Sequence, residues 1–321
     1  MVGHEVLHSE ITMSSIYFFG ECLIELKTLK PNLFEQSYAG DIYNSAVYMK
    51  RAFPALSVNV ITTVGTDAFS NEMVERFSHE HLSTEWVFRS KQKIPGLYHI
   101  QTDASGERTF NYWRNDSAAK QTMDFFKDEH LQQFTKQDIF FFSGISLAIL
   151  PEEKREAFWS RLKKLSDSGV TIVFDPNYRA NLWSSTEDAS TQIKKAFAHA
   201  CIALPGVDDL ATLLDLHTGA QVAEFCQCYE LQELVIKNGP ESVVTVAQGN
   251  TTEHHITPVV KVVDTTSAGD AFNGVYLGAR LSKQSINKAV QLAATAAATV
   301  IQHPGAIIPL TAFTDAIHAE L

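Results

Sequence analysis

The sequence predicts an α/β domain with a mostly parallel sheet and a small antiparallel hairpin. Short apolar runs alternate with stretches of helical spacing between residues 138 and 301, which is the pattern of consecutive βα units. Two strand-like runs, 96–102 and 108–113, are joined by only a few residues and therefore predict a hairpin. The 321 residues contain no internal repeat, low-complexity segment or linker, so we expect one folded domain.

The first half of the chain is predicted to begin the sheet and to form the hairpin. Residues 16–26 are predicted to form a strand with a turn glycine at Gly20. The segment 57–64 has the character of a second strand, and 67–82 has helical spacing. The hairpin turn is Asp103-Ala104-Ser105-Gly106, whose residue types favour a tight reversal. We expect this hairpin to form a flap on the main domain.

The second half of the chain continues the alternation of strands and helices. Pro151 is suited to the start of a helix, where its missing amide hydrogen costs nothing. One buried strand ends at Asp175, which places a carboxylate at the carboxyl edge of the sheet. We predict strands at 138–143, 170–174, 201–204, 234–237, 242–247 and 259–263, and helices at 151–168, 187–200, 219–229, 270–281 and 285–301.

Composition narrows the class of protein. Hydrophobic residues make up 45% of the chain and charged residues 20%, which is enough for a large core and argues against disorder. The net charge of −11 argues against a nucleic-acid-binding surface. Four cysteines, with no Cys-x-x-Cys pair, predict reduced thiols rather than a disulfide framework.

Membrane spans and a signal peptide, where a sequence has them, indicate where in the cell a protein is found. No apolar run reaches the roughly 18 residues that a membrane span requires, so no membrane partner is expected. Residues 1–14 lack the basic start and apolar stretch of a signal peptide, and we interpret them as a loose leader before a domain at 15–321. These features lead us to expect a cytoplasmic protein.

The most informative motif is Asp264-Thr265-Thr266-Ser267-Ala268-Gly269-Asp270, which leads into a helix with apolar residues at 272, 275, 276 and 279. Small side chains at Ser267, Ala268 and Gly269 leave backbone N–H groups uncovered at the helix N-terminus, an arrangement that binds anions. Asp270 adds a carboxylate beside this anion hole. An anion site next to a base suits phosphoryl transfer to a hydroxyl group. The alternative is an aspartate cap after a tight turn, and the motif alone leaves both open.

Other nucleotide-binding motifs are missing from the chain. There is no G-x-x-x-x-G-K-[ST] sequence and no Gly-Lys pair, and no G-x-G-x-x-G follows a strand. A P-loop or a Rossmann dinucleotide site is therefore a poor interpretation.

The motif at 264–270 resembles the D-T-x-G-A-G-D signature of the ribokinase-like (PfkB) carbohydrate kinases. Further landmarks of that family follow in order across about residues 16–310: Gly20-Glu21, Ala39-Gly40-Asp41 with Asn44, and Val64-Gly65-Thr66-Asp67. The resemblance implies a three-layer α/β/α domain with a small β lid, formed by segments near 22–38 and 94–114. Since such lids often pair between subunits, it also implies a homo-oligomer.

Two segments depart from the family pattern. Ser267 stands where most members carry glycine, but a small residue is kept and we expect the anion hole to survive. Gly206 and Asp209 stand where the family often has an Asn-x-x-Glu pair associated with magnesium. The protein ligands of a metal therefore stay unassigned.

Within the family, the chain is most similar to the 2-keto-3-deoxygluconate kinases. This resemblance implies ATP-dependent phosphorylation of 2-dehydro-3-deoxy-D-gluconate at its 6-hydroxyl, with Mg²⁺ accompanying ATP and Asp270 as the general base. A fructokinase or another sugar kinase of the family is one alternative, and a non-catalytic sugar-sensing protein is another. The matching segments are 20–26, 95–98, 106–110, 112–115, 143–150, 177–179 and 305–309.

Residue roles follow from the resemblance and, for the arginines, from substrate chemistry. A sugar acid needs a cation for its carboxylate, and arginine offers a bidentate fork. Tyr112 and Arg114 share one face of a strand, and Arg179 follows the strand that ends at Asp175. The implied substrate residues are Gly40, Asp41, Asn44, Tyr98, Tyr112, Arg114 and Arg179. The implied nucleotide residues are Asn177, Lys237, Gly239, Ala268, Gly269 and His303. For His303, a packed or exposed side chain is an equal alternative.

Overall fold

The computed structural model describes residues 14–102 and 108–320. The predicted leader up to residue 13 and the predicted hairpin turn at 103–106 lie outside these residues. In the two described ranges, no helix is both long and apolar enough to cross a bilayer.

Thirteen strands of the described residues form two sheets, one of nine strands and one of four. The strands are β1 (Ser15–Phe19), β2 (Leu23–Lys30), β3 (Leu33–Ala39), β4 (Ser57–Val64), β5 (Val87–Arg89), β6 (Leu97–Thr102), β7 (Arg108–Trp113), β8 (Ile139–Ser143), β9 (Thr171–Asp175), β10 (Ile202–Ala203), β11 (Glu233–Asn238), β12 (Ser242–Ala247) and β13 (Asn250–His255).

Eleven α-helices and three short 3₁₀ helices accompany these strands in the described residues. The α-helices are α1 (Asp41–Ala52), α2 (Ala68–His79), α3 (Thr122–Phe125), α4 (Gly144–Ile149), α5 (Glu152–Asp167), α6 (Thr186–His199), α7 (Val207–Leu214), α8 (Gly219–Cys226), α9 (Ala268–Leu281), α10 (Ile286–Val300) and α11 (Leu310–His318). The 3₁₀ helices are Ala118–Gln121, Asp128–Gln133 and Ala180–Leu182.

The nine-stranded sheet has the order β13-β12-β11-β10-β9-β8-β1-β4-β5. Its strands are parallel from β11 to β5, and β12 and β13 add an antiparallel edge. Alternate residues of β1 enter two separate cores: Ile16 and Phe18 pack with α1, α2, α9, α10 and α11, whereas Tyr17 and Phe19 pack with α5 to α8. This three-layer arrangement confirms the predicted fold class.

The predicted strand at 16–26 is wrong as a single element. The chain leaves the large sheet after Phe19 and re-enters strand geometry at Leu23, in the four-stranded sheet with the order β3-β2-β6-β7. A side chain at Gly20 would place its Cβ only 2.8 Å from Ser146 Oγ, so the chain passes close to α4 here. The continuous apolar run hides the change of sheet, because residues on both sides of it are buried.

The predicted strand at 259–263 is also wrong. Residues 256–264 form no strand, and Val260 is fully exposed. The edge strand is instead β13, a polar segment that pairs antiparallel with β12. Backbone pairing at an exposed edge needs no apolar side chains, so periodicity missed β13, while valine content alone suggested a strand that has no partner.

Strand ends bring the chemically important residues together. Strands β1, β8 and β9 run parallel and end at the same edge of the sheet, which places Glu21, Ser143 and Asp175 near one another in this region. The N-termini of α1 and α9 face the same region, since Asn44 of α1 donates a hydrogen bond to Asp270 of α9. Ligands of open α/β sheets bind at this edge.

Candidate active site

A cavity of about 940 Å³ lies at the carboxyl edge of the large sheet and extends under the four-stranded sheet. That volume accommodates a nucleotide-sized or sugar-sized ligand. The predicted site residues found in its lining are Gly40, Asp41, Asn44, Tyr98, Tyr112, Arg114, Asn177, Arg179, Lys237, Gly239, Ser267, Ala268, Gly269 and Asp270.

The first turn of α9 forms one wall of the cavity. Ser267 precedes it in the left-handed conformation, with φ 59° and ψ 12°. Such a backbone is strained for a residue other than glycine. The Ser267 hydroxyl donates a hydrogen bond of 2.5 Å to the carbonyl of Ala306, which ties the turn to the C-terminal segment. The amides of Gly269 and Asp270 lie in the first turn, where no intrahelical acceptor is available.

Asp270 combines a fixed position with an unusual acidity. Its carboxylate accepts a 2.9 Å hydrogen bond from Asn44 Nδ2. Burial, and then the negative charge of Asp41, raise the pKa of Asp270 to about 7. A carboxylate with a pKa near the working pH is a suitable general base for a hydroxyl proton.

A triangle of polar side chains lies beside the anion hole. Lys237 Nζ is 3.0 Å from Asp175 Oδ2 and 3.1 Å from Asn273 Oδ1. Asn273 Nδ2 closes the triangle at 2.6 Å from the same Asp175 oxygen. The ammonium is 3.9 Å from the point where a Cβ at Gly269 would stand, so it faces the anion hole.

Sequence reasoning missed two members of this triangle. Asp175 and Asn273 are buried, with exposures of 3% and 1%. Asn273 lies three residues after Asp270, hence on the same side of α9, and a polar residue in that apolar run was a usable signal. Asp175 was recognised only as the end of a strand.

The two predicted substrate arginines lie in different environments. Arg114 is buried, and its Nε and Nη2 both donate to Glu21 Oε2, the Nε bond being 2.9 Å. Among the described residues, its Nη1 has no hydrogen-bond partner. Arg179 is half exposed and is 3.2 Å from Asp209 Oδ1. Glu21 was missed as a partner of Arg114, because the two are 93 residues apart.

The aromatic residues of the four-stranded sheet present ring faces to the cavity. The Tyr98 hydroxyl donates to Glu25, which also accepts a 2.7 Å bond from Ser37. The rings of Tyr98 and Tyr112 stack with centroids 5.7 Å apart, and Phe110 continues the stack at 6.5 Å from Tyr112. Tyr98 therefore offers its ring rather than a free hydroxyl.

His303 is the predicted site residue that the structure does not bring to the cavity. It follows the end of α10, and its Nδ1 lies 3.0 Å from the carbonyl of Thr299. The described lining at this end is apolar instead. It includes Val243, Ile256, Phe272, Ala294, Ala297, Ala298 and Ile301.

The described residues contain no group of three or more His, Cys, Asp or Glu side chains that could hold a metal ion. Asp209 lines the cavity, and burial and the charge of Asp175 raise its pKa to about 6. Its carboxylate contacts Arg179, and Gly206 contributes no side chain. This donor set fits a Mg²⁺ ion held mainly by phosphate oxygens and water rather than by a protein cage.

Comparison with known proteins places this site in a family. The pfkB family carbohydrate kinase model matches residues 13–312. A 2-dehydro-3-deoxygluconokinase from Dickeya dadantii is 38% identical over 94% of this chain and 99% of its own length. The enzyme of that name from Haemophilus influenzae is 37% identical over 94% and 98%. A fructokinase structure from Xylella fastidiosa with bound ATP superposes with a TM-score of 0.80 at 22% identity, covering 96% of this chain and 98% of that one. The chain belongs to the pfkB family of carbohydrate kinases.

Proposed function

We propose that the protein transfers the γ-phosphoryl group of ATP to the 6-hydroxyl of 2-dehydro-3-deoxy-D-gluconate. The observation that carries this proposal is the placement of Asp270, a carboxylate with a pKa of about 7, beside the first turn of α9 in a cavity that Arg114 and Arg179 also line. The two similar proteins named 2-dehydro-3-deoxygluconokinase support the choice of substrate.

Asp270 removes the proton of the sugar hydroxyl as that oxygen attacks the γ-phosphorus. The new O–P bond forms while the bond to the β-phosphate oxygen breaks, and ADP departs with the electron pair. The first-turn amides of α9 and the Lys237 ammonium face the charge on the transferring group. Bound with ATP, Mg²⁺ neutralises part of the phosphate charge, and we assign no protein ligand to it.

The nucleotide base belongs at the apolar end of the cavity, between α10 and the loop before α9. Phe272, Ala298 and Ile301 give this end an apolar surface. Asn177 and Gly239 also line the cavity, and we place the phosphates beside them. We assign His303 no contact with the base, since its ring is held by α10.

The sugar acid belongs at the end covered by the four-stranded sheet. We propose that Arg179 and the free Nη1 of Arg114 bind its carboxylate, while Tyr112 packs against its carbon chain. Gly40, Asp41 and Asn44 lie nearest Asp270 and are placed to contact its hydroxyls. A neutral sugar would have no use for two cations, which disfavours a fructokinase.

We also propose that the four-stranded sheet acts as a lid and that this lid pairs between subunits. Its face away from the cavity carries Trp113, which is 63% exposed, and Phe34, which is 51% exposed. Their pairing partners, Leu97 and Thr28, are on the same side of the sheet. Apolar side chains of this size are seldom left in water together. A homo-oligomer buries them.

Arg179→Ala tests the substrate assignment. A charge-assisted hydrogen bond to a bound anion contributes about 1.5–3 kcal/mol, or roughly 10- to 150-fold in affinity. We expect KM for the keto acid to rise by that factor, while kcat/KM for fructose changes much less. Arg179→Lys keeps the charge but loses the fork, so an intermediate effect is expected.

Three results would contradict this proposal. An equal loss on both sugars would assign Arg179 to phosphate binding or to structure. A wild-type enzyme that prefers fructose to the keto acid would show that the substrate assignment is wrong. No turnover of any sugar, in an ADP-release assay, would favour the sugar-sensing alternative.

A further inference from the structure

Ser143 lies at the centre of a buried hydrogen-bond network below the cavity floor. It ends β8 and caps α4, and its exposure is 0%. Its Oγ accepts a 3.1 Å bond from the backbone amide of Ser146 and donates to Oδ2 of Asp41, the first residue of α1. Asn177 Nδ2 is 3.5 Å from the same Asp41 oxygen. Two neighbouring strand ends therefore converge on one carboxylate oxygen.

The direction of each hydroxyl proton in this network follows from the neighbouring partners. Ser146 Oγ donates to the carbonyl of Phe19 at 2.7 Å, which uses the only proton it has. Ser143 Oγ already accepts from the Ser146 amide, so its own proton is free to point at Asp41. Asp41 Oδ2 is thus the acceptor of the Ser143 hydroxyl, and Asp41 itself lines the cavity.

Close backbone contacts hold the network rigidly in place. A Cβ at Gly144 would stand 2.0 Å from the carbonyl oxygen of Pro176, and a Cβ at Gly20 would stand 2.8 Å from Ser146 Oγ. The backbone on both sides of Ser143 and Ser146 is therefore tightly packed. The Ser143 hydrogen bond orients the Asp41 carboxylate relative to the edge of the sheet.

We propose that Ser143 is a positioning residue of the phosphorylation reaction, whose hydroxyl holds the Asp41 carboxylate as a charged acceptor aimed at the sugar hydroxyls. The inference rests on the proposed function in placing the sugar at Asp41. Loss of the Ser143 donor makes the neutral form of Asp41 easier to reach and leaves the carboxylate free to turn.

The charges that face Asp41 come from several elements. Arg114 of the lid favours its ionised form, whereas Asp175 opposes it; Cys22 and Asp270 are its other ionisable neighbours. Burial raises the pKa of Asp41, and the Ser143 hydrogen bond lowers it. Removing the Ser143 hydroxyl should therefore raise the pH at which Asp41 takes up a proton.

The test measures sugar binding against pH by calorimetry in an Asp270→Asn background, which removes the proposed general base, while Asp209 titrates alike in every variant compared. Ser143→Ala is compared with the background protein and with Ser45→Ala, which removes a buried hydroxyl that has no hydrogen-bond partner among the described residues. The ligand is whichever sugar the wild-type enzyme phosphorylates most efficiently, so a wrong substrate class refutes the proposed function and leaves this inference testable.

With Ser143→Ala we expect the dissociation constant for the sugar to rise roughly 3- to 10-fold at neutral pH. We also expect the weakening of binding at acidic pH to begin at a higher pH than in the background protein or in Ser45→Ala. A uniform loss of affinity at every pH, or an equal shift in Ser45→Ala, would overturn the proposal. If Ser143→Ala does not fold, Ser143→Cys keeps a similar shape and weakens the donor. The same shift is then expected of Ser143→Cys, and the same results would overturn the proposal.

Discussion

The two halves of α9 use glycine for opposite purposes. At the start of the helix, a Cβ at Gly269 would meet nothing closer than Lys237 Nζ at 3.9 Å. In the middle, a Cβ at Gly274 would stand 2.1 Å from the carbonyl oxygen of Ser45, and one at Gly278 would stand 2.3 Å from the Phe53 ring. The first glycine leaves room for a ligand, and the other two leave room for α1.

This difference connects packing with chemistry on one helix. The middle of α9 is held against α1 and α10 in the larger core, so the helix cannot shift. Its first turn carries the strained Ser267 and the acid with a raised pKa, Asp270, which are tolerated because the rest of the helix is fixed. Changes in the first turn should therefore affect activity, and changes in the middle should affect stability.

The largest expected effect comes from Asp270→Asn, which keeps the shape and removes the base. Loss of a general base costs roughly 10²- to 10⁴-fold in kcat. The fold raises the pKa of Asp270 to about 7. The free energy of unfolding therefore falls as the pH rises from the pKa of this group in the unfolded chain toward 7. At pH 8 we thus expect Tm to stay level or to rise slightly. Near-normal turnover would refute the mechanism. A large fall in Tm would contradict the distinction between a first turn of α9 that serves activity and a middle that serves stability.

Gly269→Ala places one methyl group between Lys237 and the anion hole. Because the space is open in the free protein, we expect the urea midpoint to be unchanged. The methyl group would displace the phosphoryl group, and a misplacement of about 1 Å costs on the order of 10²-fold in rate. A variant with full activity would show that the phosphoryl group does not occupy this space.

Gly278→Ala is the matched change further along the helix, about two turns from Asp270. Its methyl would stand 2.3 Å from the Phe53 ring, so that ring must be displaced. Overpacking of this kind costs about 1–3 kcal/mol, sometimes more. We expect a lower urea midpoint, with kcat per folded molecule close to wild type. Loss of kcat in fully folded protein would mean that the two halves of α9 are not independent.

The pH dependence of kcat/KM reports Asp270 in the free enzyme. With a pKa of about 7, the base is mostly protonated at pH 6, so kcat/KM should fall roughly tenfold between its plateau and that pH. The Gly278→Ala enzyme should show the same acid limb, because its change lies about two turns of α9 from the carboxylate. A flat profile from pH 8 to pH 6 would assign the proton to another group.

Ser267→Gly should have the smallest effect. It relieves the left-handed strain but loses the hydroxyl bond to Ala306, and the two changes offset each other to within about 1 kcal/mol. We expect kcat within about threefold of wild type, since the backbone amides of the turn are kept. A large loss of kcat with unchanged stability would mean that the Ser267 hydroxyl itself contacts the phosphoryl group.

Much of the fold could be predicted from patterns among neighbouring residues. The strand-helix alternation predicted the layers, and the motif at 264–270 predicted an anion site followed by a helix, because periodicity and turn chemistry depend on neighbouring residues. The two wrong strand predictions also came from patterns among neighbouring residues. Residues 16–26 changed sheets inside an apolar run, and the valines at 259–263 had no strand to pair with.

Residue identity and spacing were enough to predict Asp270, its small-residue turn and the α/β layers, because each of these signals depends on residues that are close together in the sequence. Tertiary structure alone decided what these groups contact. It joined Asn44 to Asp270 across 226 residues, Ser143 to Asp41 across 102 and Arg114 to Glu21 across 93. It also raised the pKa of Asp270, because burial and the charge of Asp41 act only once the chain has brought them together.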